Sequence, residues 1–245
     1  MSTALALPTR RQEAFRYSDV VALAGVWPVT REEIRVAAGT SGALAIVTPA
    51  GGATARMLSI TLAAGAKFDL RILNAAPIFG RIAVEVELGE GADFTLGAAQ
   101  LGSGDQTLEI VTEVTHAAPN AVSRQLIRSV LGARATGTYL GKVAVARGSI
   151  GTDSEQSVRA MLLDRTATAN AKPELEIYAD DVKCAHGCAV GELDANGLFY
   201  LQSRGLPPAE AKRLMLQAFI AEAFAGAPDE DALTTAALAA LGALL

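Results

Sequence analysis

The chain is poor in the residues that usually carry chemistry. In 245 residues it has two cysteines, two histidines and one tryptophan. The cysteines, Cys184 and Cys188, lie too close in sequence to form a disulfide framework, so a reduced compartment is the default. Aromatic residues make up 5% of the chain, too few to build platforms for bases or sugars. The net charge is −5 with no basic run, which argues against nucleic acid as a main partner. No apolar stretch reaches the roughly 18 residues of a membrane-spanning helix. The apolar run before Arg10 and Arg11 is too short for a secretory signal. A cytoplasmic protein is expected. There is no Gly-Lys-Ser/Thr loop for ATP hydrolysis and no Gly-x-Ser-x-Gly elbow. Strong helical periodicity is also missing until after residue 190.

What the chain has instead is a repeat. Gly65-Ala66-Lys67-Phe68-Asp69-Leu70 aligns with Gly91-Ala92-Asp93-Phe94-Thr95-Leu96 at an offset of 26 residues. The same offset carries Ile60 to Val86 and Leu62 to Leu88, and a weaker copy includes Ile34, Val36, Gly39 and Leu44. A period in this range signals a solenoid. Each unit holds strands and turns without a helix, so a parallel β-helix is the natural architecture, with a β-sandwich as the competing one. Ladders of Val, Ile and Leu would fill its interior, and Gly and Asn its corners. Beyond residue 100 the repeat loosens but strand character persists. The expected organisation is a lead-in over residues 1–30 that packs on the body, a β-helix core over 31–192, and a C-terminal helical docking segment over 193–245.

The most informative stretch runs from Lys172 to Gly205. Leu175, Ile177 and Ala179 alternate with polar residues; Val182, Cys184, His186 and Cys188 then recur with period two in the opposite phase. A bend is expected at Asp180-Asp181. An unbroken second strand would put both cysteines and His186 on one face. One extended strand cannot wrap three ligands around one metal, because residues two apart are roughly 6.5–7 Å apart while metal–ligand bonds are about 2.0–2.3 Å. Without further ligands the cysteines would be small buried hydrophobes and the histidine simply hydrogen-bonded. His116, before Pro119 and Asn120, reads as a surface or corner histidine, and Asp180 and Asp181 as turn formers. Asp194 can cap a helix carrying Leu198, Phe199 and Leu201.

Pro173-Glu174-Leu175-Glu176-Ile177, Ala179-Asp180-Asp181-Val182, Cys184-Ala185-His186-Gly187 and Leu198-Phe199-Tyr200-Leu201 with Ser203-Arg204-Gly205 resemble the SufB/SufD family, the scaffold proteins of iron–sulfur cluster assembly. The Cys184–His186 pair is more like the SufD branch. The resemblance implies a right-handed parallel β-helix and a non-catalytic subunit that pairs with SufB through the β-helix ends. It places Cys184 and His186 as ligands of a transient iron–sulfur cluster or iron at that shared interface, with none expected on the isolated chain. At Cys188 relatives commonly carry a small residue. The family's longer N-terminal helical region has almost no counterpart in this sequence.

Two further helices are expected in the tail. Pro207 and Pro208 suit a first turn, and Ala211, Leu214, Met215, Ala218, Phe219 and Ala223 fall at helical spacing. Asp229 can cap the last helix, with Leu233, Ala237, Leu238 and Leu241 on its apolar face. In SufB and SufD this segment docks on the SufC ATPase, so a partner is expected for these faces; a second copy of this chain is the alternative partner at the β-helix end. Two other functions compete with the scaffold: a self-sufficient metal sensor or carrier, and a β-helix enzyme acting on polysaccharide.

Overall fold

The computed structural model describes residues 6–49 and 51–245; the first five residues of the expected lead-in lie outside it. Twelve strands, β1 (Arg31–Val36) to β12 (Lys183–Gly191), alternate between two six-stranded sheets. One sheet has the order β1-β3-β5-β7-β9-β11 and the other β12-β10-β8-β6-β4-β2, all parallel. Each coil contributes one strand to each sheet, so the chain climbs a parallel β-helix of six coils, as expected. Ile34 pairs with Ile60 and Ile60 with Val86, and Phe68 with Phe94, so the 26-residue offset is the rise of one coil.

Inward positions alternate along each strand and stack in register. Ile60, Leu62, Leu70, Ile72, Val84, Val86, Phe94 and Leu96 form the apolar core between the sheets. The corners stack as well. Gly39, Gly65, Gly91, Asn120, Gly151 and Asp181 all take positive φ. Each of the first five sends its amide to a carbonyl in the corresponding turn of the next coil. Glycine adopts this conformation without steric cost, and Asn and Asp tolerate it better than other residues do. Asp181 thus ends the column at the expected bend between β11 (Thr168–Ile177) and β12.

The lead-in packs on the outside of the odd-numbered sheet. The Arg81 guanidinium, buried against Glu109, lies 4.1 Å from the Phe15 ring centroid and donates to the Ala14 carbonyl. Glu109 also accepts from Ser18 Oγ and the Asp19 amide.

Three longer helices follow β12: α2 (Ala195–Ser203), α3 (Pro208–Ala221) and α4 (Glu230–Gly242). Here α1 is the short helix Val20–Ala24 of the lead-in. Asp194 caps α2 as expected, accepting from the amides of Asn196 and Gly197. Asp229 makes no side-chain cap; instead Glu230 reaches back to the Gly226 amide. The apolar faces of α3 and α4 lie on this chain's own even-numbered sheet and not on the partner expected for them. Leu216, Ile220, Ala223, Phe224, Leu233, Ala237 and Leu241 pack against Leu73, Ala99, Leu101 and Val130. Covered on both faces, β4 (Lys67–Asn74), β6 (Asp93–Gly102) and β8 (Val122–Leu131) are buried almost continuously over their C-terminal halves. Within α3 the buried stripe is Ala211, Leu216 and Ile220, while Leu214 and Ala218 are exposed. Two polar contacts pin the tail: Arg71 Nη1 donates to the Ala223 carbonyl at 2.9 Å, and buried Arg128 pairs with Glu222 at 2.7 Å.

Candidate functional site

The last coil ends the solenoid. β11 and β12 are the edge strands of the two sheets, each paired on one side only. The interior that earlier coils bury is open here. Leu175 is half-buried, and Ile177 and Val190 are 42% and 48% exposed. In register, Cys184 sits over Ser154, His186 over Gln156 and Cys188 over Val158. Those three partners are buried inward residues of β10 (Asp153–Leu162). The expected common face is therefore real, and it is the face that lines the mouth of the solenoid. Cys184 is half-buried; His186 and Cys188 are exposed.

The columns beneath these three residues differ. Under Cys188 the interior is apolar throughout, running through Val158, Ile127, Ala98 and Ile72. Under Cys184 it changes from Phe68 and Phe94 to Ser123 and Ser154. Under His186 it changes from Leu70 and Leu96 to Gln125 and Gln156. The two columns that end in Cys184 and His186 thus become polar over the last coils, and the one ending in Cys188 does not.

These polar groups are connected. His116 Nε2 meets Ser123 Oγ at 2.9 Å, and Ser123 Oγ meets Ser154 Oγ at 2.9 Å. His116 stands at a corner of its coil, one of the two positions expected of it, but it has no exposed surface. It closes β7 (Thr107–His116) with its side chain turned into the interior, where burial pushes its pKa down to about 4. A second cluster surrounds the Tyr139 hydroxyl, which donates to Gln125 Oε1 at 3.2 Å and accepts from Gln156 Nε2 at 3.3 Å. Thr112 Oγ1 lies 3.0 Å from the same hydroxyl. Burial pushes the Tyr139 pKa well up, so it stays a neutral phenol. Burial also raises both thiols; at Cys184 the Ser154 backbone opposes that in part. Sequence reasoning missed the serine and glutamine columns. The signal that could have found them is the pairing of Ser123-x-Gln125 with Ser154-x-Gln156.

Thiolate and imidazole donors suit iron. Among the described residues, however, no three of His, Cys, Asp and Glu come close enough together to hold a metal ion. Cys184 and His186 place a thiol and an imidazole at the open mouth, two donor types without a third close by among the described residues.

Residues 45–219, well over half of the chain, match the SUF system FeS cluster assembly, SufBD core domain family. The chain belongs to the SufBD core family. Within it the similarity is to SufD proteins. The iron–sulfur cluster assembly protein SufD of Escherichia coli (strain K12) is 32% identical over 142 residues, covering 58% of this chain and 34% of that protein. SufD of Bacillus subtilis (strain 168) is 32% identical over 133 residues, covering 54% and 30%. The chloroplastic protein ABCI7 of Arabidopsis thaliana is 33% identical over 171 residues, covering 69% and 36%. The chain spans about a third of the length of these relatives. Membership ties the molecule to iron–sulfur cluster assembly. No helix among the described residues is long and apolar enough to cross a membrane.

Proposed function

We propose that this chain is a SufD-like, non-catalytic scaffold subunit of a cytoplasmic SUF complex. It pairs with SufB through the open end of the β-helix, and iron or a nascent iron–sulfur cluster is held at the shared interface by Cys184 and His186 together with donors from SufB. The observation that carries the reading is the mouth of the last coil: two edge strands, an uncovered apolar rim and a Cys–His pair that by itself lacks enough ligands. Unpaired strand edges invite a partner, and an incomplete donor set gives that partner a chemical role. The polar columns favour Cys184 and His186 over Cys188 as the ligands. The ligand shortage also counts against a self-sufficient sensor.

SufC docking falls to what the tail leaves free. With α3 and α4 spent on the solenoid, exposed apolar side chains remain on α2 and midway along α3: Phe199 is 72% exposed, Tyr200 57% and Leu214 46%. No residue of α2 is buried, and Gly197 lets the helix approach Met215 of α3 closely.

Co-expression of this chain with SufB and SufC, followed by iron and sulfide analysis of the purified complex, tests the proposal. A ternary complex is expected, with cluster content reduced in Cys184→Ala and His186→Ala and retained in Cys188→Ala. Failure to associate with either protein, or full loading in His186→Ala, would overturn it.

A further inference from the structure

The open mouth carries information about how its histidine is held. Gln156 is 1% exposed. Its amide nitrogen is committed to the Tyr139 hydroxyl, whose own proton goes to Gln125 Oε1. In this arrangement Gln156 Oε1 has no partner, although the atom is buried. A buried, unpaired carbonyl oxygen is costly and needs a donor. Directly above it in register stands His186, on a strand roughly 4.8 Å away. Gln125 Nε2, one coil below, is also unpartnered. An amide oxygen has two lone pairs, so a bond from Gln125 would still leave one for His186.

We propose that Gln156 is a positioning residue for His186. In the assembled complex, Gln156 Oε1 accepts the ring N–H of His186. The imidazole is held in one tautomer with its other nitrogen turned towards the shared interface. A ligating histidine commonly donates its second ring N–H to a fixed acceptor, which sets both tautomer and ring orientation. The inference rests on the reading of His186 as an interface ligand. In the free chain His186 is exposed, so water competes for its N–H. Covering the mouth removes that competitor.

The chain contains only His116 and His186, which makes the test direct. The chain is labelled with ¹⁵N-histidine and assembled, free of iron and sulfide, with unlabelled SufB and SufC. Ring nitrogen shifts are read above the pH range in which imidazole titrates, and His186→Asn identifies the signals of His116. A single tautomer is expected for His186 in the wild-type complex and a mixture in the free chain. Q156M should restore the mixture in the complex, and Q156E, which keeps an acceptor, should preserve the single tautomer. A mixture in the wild-type complex would overturn the proposal whatever the variants do, as would an unchanged tautomer in Q156M. Cluster loading is not part of this readout, so full loading in His186→Ala would sink the ligand role independently of the tautomer.

Discussion

Acid should destabilise this protein through one buried side chain. His116 is held near pKa 4 by burial, against an ordinary value of 6.5. The folded state therefore disfavours the proton that the unfolded chain accepts. Between these two values the unfolded state binds more protons, so stability falls as pH falls. The contribution is fully present above pH 6.5 and is lost progressively down to the folded pKa. Linkage with these two values gives a loss of about 1.4 kcal/mol at about pH 5.5 and about 2.5 kcal/mol at about pH 4.5. Other groups titrate in the same range, so the measurement is a difference between two proteins. His116→Gln keeps a hydrogen-bonding group near Ser123 but cannot charge. Urea unfolding of both proteins at about pH 7.5, 5.5 and 4.5 should show the wild type losing more stability than the variant, by about those amounts. Parallel losses in the two proteins would mean that His116 is not a neutral buried imidazole, and that the polar interior is wetter than its burial implies.

Other perturbations test other parts of the architecture. A Cβ at Gly97 would sit 1.9 Å from the Ala223 carbonyl and 2.5 Å from Arg71 Nη1. Gly97→Ala should therefore detach the tail from the even-numbered sheet, seen as rapid proteolysis between residues 205 and 230, whereas Gly187→Ala at the open mouth, where nothing lies nearby, should not. Tyr139→Phe removes the hydroxyl shared by Thr112, Gln125 and Gln156 and should cost about 1–3 kcal/mol in chemical unfolding; a loss too small to measure would mean that those groups find water instead. Phe199→Ser combined with Tyr200→Ser should weaken capture of SufC at least tenfold while leaving the thermal unfolding midpoint nearly unchanged, since both side chains are exposed. Unchanged capture would move the docking surface away from α2.

Much of the fold could be read from the residues because its determinants are local. The 26-residue offset, the corner glycines and the period-two alternation each specify one coil, and coils stack on neighbours of the same kind. The reading weakened beyond residue 100 for an equally local reason. Successive coils grow: Phe94 pairs with Ser123, 29 residues on, and Ser123 with Ser154, 31 residues on. A fixed offset can no longer align them. The Ser–Ser and Gln–Gln columns were hidden by that drift, as was the burial of His116 at the corner where the extra residues enter. The α3 stripe failed differently. The helix carries apolar residues on more than one side, and spacing alone cannot say which side meets the sheet and which meets α2 through Met215. The Cys184–His186 pair was legible as a candidate from alternation and resemblance. The polarity of the columns beneath that pair was not, because Ser154 and Gln156 lie one coil away in sequence and Ser123 and Gln125 two.

The return path of the tail has a consequence for how the molecule unfolds. A stack of coils in which each touches only its neighbours can lose structure from either end, one unit at a time. Here α3 contacts β8, and α4 contacts β6 and β2 (Ser41–Val47), so the C-terminal segment leaves the last coil and runs back to the first. That path adds contacts between parts of the chain nearly 200 residues apart, and no early coil can open without also releasing the helices that lie across it. The intact chain is expected to melt in a single transition, whereas a tail-less solenoid would fray. Cooperativity of the whole would then reside in the segment that contributes no strand to the β-helix.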